Sequence, residues 1–177
     1  MLHANETQLC RVTRSKEAAR TSYNRLSHWY DLVSGPSEQK TTHKGLRILS
    51  AKLGETILEI GFGTGHSLLG LAESVGEAGR THGIDLSEGM LAIAQKRIAR
   101  AGLLKTVKLR YGDAVGLPYR GDRFNAVFSS FTLELFDTPE IPIVLKECQR
   151  VLKNQGRICI VYLSRSGKPN SMLRWYG

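Results

Sequence analysis

From Glu55 onward, short runs of β-branched and apolar residues alternate with stretches in which apolar positions recur every three or four residues. That alternation is the pattern of a parallel sheet with crossover helices, an α/β architecture of about five strands with flanking helices. Strands are expected over Thr56–Ile60, 82–85, Val107–Tyr111, 126–130 and 157–163. Between them, Leu68, Leu71, Ala72 and Val75 share one helical face. Met90, Leu91, Ala94, Ile98 and Ala101 do the same behind Ser87, a residue type that N-caps helices. In Thr138-Pro139-Glu140-Ile141-Pro142 the second proline lacks an N–H that a helix already under way would need. A fourth helix is therefore expected to begin at Pro142 and to stop near Asn154-Gln155-Gly156, with Gly156 as its C′ residue.

Before Glu55 the pattern changes. Residues 16–30 and 37–52 read as two helices, parted by Ser34-Gly35-Pro36, which cannot continue one. The expected division is a helical lid segment over residues 1–53 and a ligand-binding core over residues 54–177. After the fifth strand only residues 164–177 remain, too few for a further helix and two strands. The fifth strand would then present an open edge, which invites pairing with a second chain into a homo-oligomer.

Composition narrows the classes. The 177 residues are 41% hydrophobic and 23% charged, as in a globular domain, and no apolar run approaches the roughly 18 to 20 residues of a membrane span. The N-terminus has no apolar signal core, and Glu6 and Glu17 fit a transit peptide poorly, so the expected address is the cytoplasm. Cys10, Cys148 and Cys159 lie far apart, without metal-ligand spacing, which argues against a disulfide scaffold and against a metal. The net charge of +9 could serve nucleic acid, but the cations are dispersed, including Lys108, Arg110, Arg123, Arg150 and Arg157, so solubility is the favoured reading.

The chemistry concentrates in Ile57-Leu58-Glu59-Ile60-Gly61-Phe62-Gly63-Thr64-Gly65-His66. A dinucleotide fingerprint reads GxGxxG and seats a pyrophosphate on the helix N-terminus. Here the third glycine stands at 65, and Glu59 is expected to put a carboxylate at the mouth of the site. That charge would repel a pyrophosphate and suit a ligand with an ammonium group, such as S-adenosylmethionine. Asp85, at the end of the second strand, can accept ribose hydroxyls from either kind of nucleoside. Asp113 follows the third strand, where it can accept an adenine amino group while the N–H of Ala114 donates to the ring. Met90 could lie on the adenine face or fill the core. A nicotinamide-dependent oxidoreductase is disfavoured by the glycine spacing, Glu59 and Asp113.

Taken together these residues resemble the class I S-adenosylmethionine-dependent methyltransferases. Glu59-x-Gly61-x-Gly63-x-Gly65 is similar to that family's first motif, and Asp85-Leu86-Ser87-x-x-Met90 to its second. Gly112-Asp113-Ala114 with Leu117-Pro118 is similar to the third. Phe124-Asn125-Ala126-Val127 followed by Ser129 resembles the fourth, with Asn125 where the family usually has Asp. The run from Arg150 to Arg157 resembles RVLKPGGR, with Asn154-Gln155 in place of Pro-Gly. Leu117-Pro118, Tyr23-Asn24-Arg25 and Trp29-Tyr30-Asp31 most resemble the branch that includes the ubiquinone and menaquinone C-methyltransferases.

The resemblance implies a Rossmann-like fold and methyl transfer from S-adenosylmethionine to a small-molecule acceptor, without metal and without a dedicated catalytic base. It implies a cofactor site of Tyr30, Glu59, Gly61, Phe62, Gly63, Gly65, Asp85, Leu86, Met90, Asp113, Ala114 and Ser129. Tyr30 would close over the cofactor as a lid. Tyr23, Phe131, Thr132 and Glu134 are the expected substrate wall. His28 and His66 are expected in surface or turn roles rather than as bases. Family members usually continue into an antiparallel strand pair, which is expected to be missing here, so the chain reads as a shortened form or a fragment. Two alternatives stand beside this reading: an RNA- or protein-directed methyltransferase, and a cofactor-binding protein without turnover. The sequence Ser129-Ser130-Phe131-Thr132 lacks the motifs of base-methylating enzymes.

Overall fold

A computed structural model describes residues 36–162 and the strand Arg174–Tyr176. The chain runs α1 (Pro36–Leu49), β1 (Thr56–Ile60), α2 (His66–Val75), β2 (Arg80–Asp85), α3 (Glu88–Arg100) and β3 (Val107–Tyr111). It continues through β4 (Phe124–Ser130), α4 (Ile141–Val151), β5 (Leu152–Val161) and β6 (Arg174–Tyr176). The sheet order is β3-β2-β1-β4-β5-β6, with five parallel strands and β6 antiparallel on β5. This is the expected Rossmann-like α/β fold. The expected helix over 16–30 lies outside the described residues.

Strand alternation sorts the core onto two faces. On one face Ile57, Ala126 and Phe128 pack under α1 and α2, and Val107 and Phe62 lie with Ala94 and Ile98 of α3. On the other, Leu58, Ile60, Ile84 and Val127 meet Val144, Cys148 and Val151 of α4. The second helix buries Ser67, Leu68, Leu71, Ala72 and Val75, the predicted stripe. Ser87 caps α3, its Oγ accepting from Met90 N at 3.1 Å. The first helix lies close on the sheet at Gly45, where a Cβ would meet Phe128 at 3.2 Å and collide with Val161.

Three expectations are corrected. The fourth helix begins at Ile141 and ends at Val151, with Leu152 already extended, so Gly156 is not its C′ residue. Pairing of Leu152 with Phe124 starts the strand at once, and residues 153–156 are accommodated as an irregularity before Arg157 pairs with Ala126. The turn chemistry of Asn154-Gln155-Gly156 is thus used inside a strand, with Gln155 left-handed at φ 61°. Second, an antiparallel strand is present where none was expected. Third, β6 covers the edge of β5 over Ile158, Cys159 and Ile160, so that stretch is not open for a second chain.

At the amino ends of the strands, side chains predicted as dispersed surface charge make specific contacts. Arg157 donates to Leu49 O (2.6 Å), Ser50 O (2.9 Å) and both oxygens of Glu55 (2.8 and 2.7 Å). It thereby ties the last turn of α1 to the approach of β1, and the guanidinium holds the Glu55 carboxyl below its usual range. Arg150 donates to Glu147 and to the carbonyls of Leu117 (3.0 Å) and Tyr119 (2.8 Å). Asn125 Oδ1 accepts from Thr56 N and Lys153 Nζ, both at 3.0 Å. An aspartate there would offer the same acceptor, which explains why the substitution leaves this end intact.

Candidate functional site

The carboxyl end of β1 turns into α2 through three left-handed glycines, Gly61 (φ 70°), Gly63 (φ 52°) and Gly65 (φ 85°). Each φ is one that only glycine adopts at low cost. A Cβ on Gly61 would collide with the Thr132 side chain, and one on Gly65 would lie 3.0 Å from the Ala94 methyl. At Gly63 a Cβ would meet nothing within 4 Å. Two of the glycines therefore permit packing, and the middle one keeps backbone exposed to open space.

Behind the turn stands Asp85. Its Oδ2 accepts from Gly63 N at 2.8 Å and its Oδ1 from Ser87 N at 2.9 Å. Burial pushes its pKa up while these N–H groups pull it down. Each carboxylate oxygen has a second lone pair, so the group can still accept from a vicinal diol.

Glu59 is not at the mouth of the site. It lies between Gly83 and Phe128 in the sheet and is fully buried. Its Oε1 accepts from Ser67 Oγ, and Oε2 has no hydrogen-bond partner. Burial pushes its pKa up to about 8, with the nearby Asp85 charge adding to the rise and the Ser67 bond opposing it. At neutral pH the group is mostly protonated.

The other predicted residues divide. Phe62 is buried over Gly83, where a Cβ would meet its ring at 2.7 Å. Met90 is only 1% exposed and fills the core. Leu86 is half-buried between Asp85 and the capping Ser87. Asp113 caps a short 3-10 turn, Oδ1 accepting from Val115 N at 3.0 Å, and Ala114 is buried beside it. Gly112 N donates to Asp85 O at 2.9 Å, which draws this segment next to the second motif. Ser129 spends its hydroxyl on Ile60 O at 3.2 Å. Thr132 packs on Gly61 and donates to Ser130 O at 2.9 Å, so it braces the turn. Glu134 is half-buried in the 3-10 turn Leu133–Leu135. Tyr23, His28 and Tyr30 lie outside the described residues.

A cleft of about 320 Å³ opens between the glycine turn, α1 and α2. Gln39, Thr42, His43, His66, Glu73 and Phe131 line it. Phe131 is set there by a left-handed backbone (φ 51°) and by its N–H donating to Val161 O at 2.8 Å. The α1 residues were missed in the sequence. Gln39, Thr42, His43 and Leu46 recur at helical spacing, and that mixed stripe was the available signal.

A turn and an acid at the carboxyl ends of adjacent central strands define a nucleoside-binding α/β domain. The chain belongs to the methyltransferase family: residues 57–156 match the model of a methyltransferase domain, more than half of the chain. A demethylmenaquinone methyltransferase of Lactobacillus johnsonii is 34% identical over 157 residues, covering 86% of this chain and 64% of that protein. The chain therefore spans just under two thirds of that relative's length. An S-adenosylmethionine-dependent methyltransferase of Aquifex aeolicus superposes with a TM-score of 0.68 at 26% identity, over 82% of this chain and 77% of that one. The [4+2]-cyclase SpnF superposes at 0.72 with 21% identity, over 85% and 61%, a likeness of fold alone.

These matches imply S-adenosylmethionine as the cofactor, and the residues fit it. The orphaned Oε2 of Glu59 is a buried acceptor one hydrogen bond behind Ser67 of the cleft wall. The uncovered backbone at Gly63 and the spare lone pairs of Asp85 suit an uncharged ribose. A pyrophosphate would meet the Asp85 carboxyl group instead. Among the described residues no cluster could hold a metal ion, and no helix is long and apolar enough to cross a membrane.

Proposed function

We propose that this chain transfers a methyl group from S-adenosylmethionine to a small, aromatic, quinone-like acceptor. The observation that carries the reading is the bond from Gly63 N to Asp85 Oδ2, which locks the glycine turn and the ribose-binding acid into one unit. When bound, the cofactor supplies an electrophilic methyl group on a sulfonium. Gly61, Gly63 and Asp85 would hold its methionine and ribose portions, with Asp113 and the N–H of Ala114 toward the adenine. Glu59, ionising through Ser67, would answer the ammonium group. The chain's own contribution is orientation and exclusion of water: holding acceptor and donor in line supplies up to roughly 7–11 kcal/mol in model reactions.

The cleft beside the turn supplies the acceptor's place. Phe131 offers an aromatic wall, and His43, Thr42 and Gln39 offer polar groups for quinone or phenol oxygens. The named relatives that act on demethylmenaquinone support this class of acceptor. The lid role of Tyr30, the residue 1–53 and 54–177 division and the cytoplasmic address belong to this proposal, the last to be checked by cell fractionation.

Calorimetric titration of the chain with S-adenosylhomocysteine, beside NAD, tests the cofactor half. Micromolar binding of the first alone supports it, and binding of NAD alone overturns it. A methyl-transfer assay with a demethylated naphthoquinol tests the acceptor half. Transfer to RNA or protein, with none to the quinol, would replace that half.

A further inference from the structure

On the sheet face opposite α2 and α3, the β2–β3 edge carries a cluster of cations that the methyl-transfer reading does not use. Strand alternation and register place His82 beside Lys108 and Ile84 beside Arg110, all on that face. The segment after the third motif lays Tyr119 over them. Tyr119, His82 and Phe124 meet edge to face, with centroids 5.0 to 5.6 Å apart. Arg110 and Arg123 stack on the Tyr119 ring at 5.8 and 5.5 Å. Arg123 Nη2 lies 3.5 Å from His82 Nε2. Arg80 sits at the start of the same strand, its guanidinium turned to the carbonyls of Glu77 and Gly79.

Among the described residues this cluster has no paired counter-charge. The ion pairs Arg150–Glu147 and Arg157–Glu55 lie elsewhere, and no carboxylate among the described residues pairs with Lys108, Arg110 or Arg123. Arg123 Nε is buried with no hydrogen-bond partner. Burial, then Arg123, Arg110, Lys108 and Arg80, push the His82 pKa down to about 4. The imidazole is thus neutral. Two arginines on one aromatic platform, with Lys108 at the strand position beside His82, form a fork suited to oxyanions.

We propose that Arg110 and Arg123, stacked on Tyr119, together with Lys108 in register with His82, form a binding site for a phosphate group, separate from the methyl-transfer cleft. The group would come from a phosphorylated small molecule or from the headgroup of an anionic lipid. The guanidiniums would donate to its oxygens, and Lys108 would add charge from the exposed end.

The full-length chain, labelled with ¹⁵N, is titrated with inorganic phosphate against chloride at equal ionic strength. Saturable shifts confined to the backbone around His82, Lys108, Arg110 and Arg123 are expected. The double variant Lys108→Gln with Arg110→Gln, both exposed positions, should weaken binding by about tenfold or more. Lys96→Gln with Arg100→Gln, an equal loss of charge on exposed α3 positions, should change it by less than about twofold. Flotation with phosphatidylglycerol vesicles against phosphatidylcholine vesicles distinguishes the sources. Phosphate saturation with anionic-vesicle binding assigns a lipid headgroup, and saturation without it assigns a phosphorylated small molecule. Shifts scattered over the surface, equal losses in the two double variants, or binding of RNA without a phosphate response would overturn the site.

Discussion

The two ends of the sheet use the same chemical groups in opposite ways. At the amino ends, Arg157 satisfies Glu55 and two helix-terminal carbonyls, and Asn125 accepts twice from neighbouring elements. At the carboxyl ends, Glu59 keeps an unpartnered oxygen, Gly63 faces open space, and Asp85 is held by N–H groups with lone pairs to spare. Around Arg157 and Asn125 the first end is closed on itself and holds the fold. The other leaves polar capacity for a ligand, at a cost in stability that the closed end offsets.

The largest way to break that contrast is Gly61→Val. The left-handed backbone and the collision with Thr132 should cost at least about 3 kcal/mol and abolish binding of S-adenosylhomocysteine, as read by thermal melting and calorimetry. Next is Arg157→Met at the closed end. It strands Glu55 and two carbonyls, so melting should report a loss of about 3 kcal/mol, with ligand affinity unchanged at temperatures where the chain stays folded. The same pair sets an acid limb. The Glu55 pKa is lowered on folding, so its contribution is present above the unfolded value and is lost as pH falls below about 4.5 and through the folded value. Arg157→Met should flatten that limb in a pH series of melts.

Asp85→Ala acts at the open end, and titration should show affinity for S-adenosylhomocysteine reduced about a hundredfold, for a loss of about 2.7 kcal/mol. Glu59→Gln comes last because its effect on stability vanishes at low pH. An acid with pKa raised from 4.5 to about 8 makes the fold progressively less stable as pH rises between those values. The variant should therefore match the parent at pH 4 and exceed it in stability by a margin that grows as pH rises to about 8. It should also lose the parent's rise in S-adenosylhomocysteine affinity over the same range, because only a carboxylate can ionise against the ammonium group.

Local rules carried the open end well. The glycine triplet, Asp85 and the Ser87 cap were all readable because each depends on neighbours within a few residues. The closed end was not. Asn154-Gln155-Gly156 has the chemistry of a helix stop, and only the pairing of Leu152 with Phe124, distant in sequence, converts it into an irregular strand. Arg157 read as surface charge because its partners lie 32 to 108 residues away, and the carbonyls that Arg150 reaches lie 31 and 33 residues away. Glu59 was misplaced for the same reason: its burial is set by Gly83 and Phe128 on the flanking strands. Thr132 looked like substrate wall until the sheet brought it against Gly61.

The attachment of α1 has an evolutionary reading. Arg157 grips the helix by its final carbonyls, and Gly45 seats it on Phe128 and Val161, while Gln39, Thr42 and His43 look into the cleft. Neither anchor belongs to the glycine turn. Under the proposed function the helix is an exchangeable cassette: rewriting its cleft-facing letters would change which acceptor fits without altering the cradle proposed for the donor.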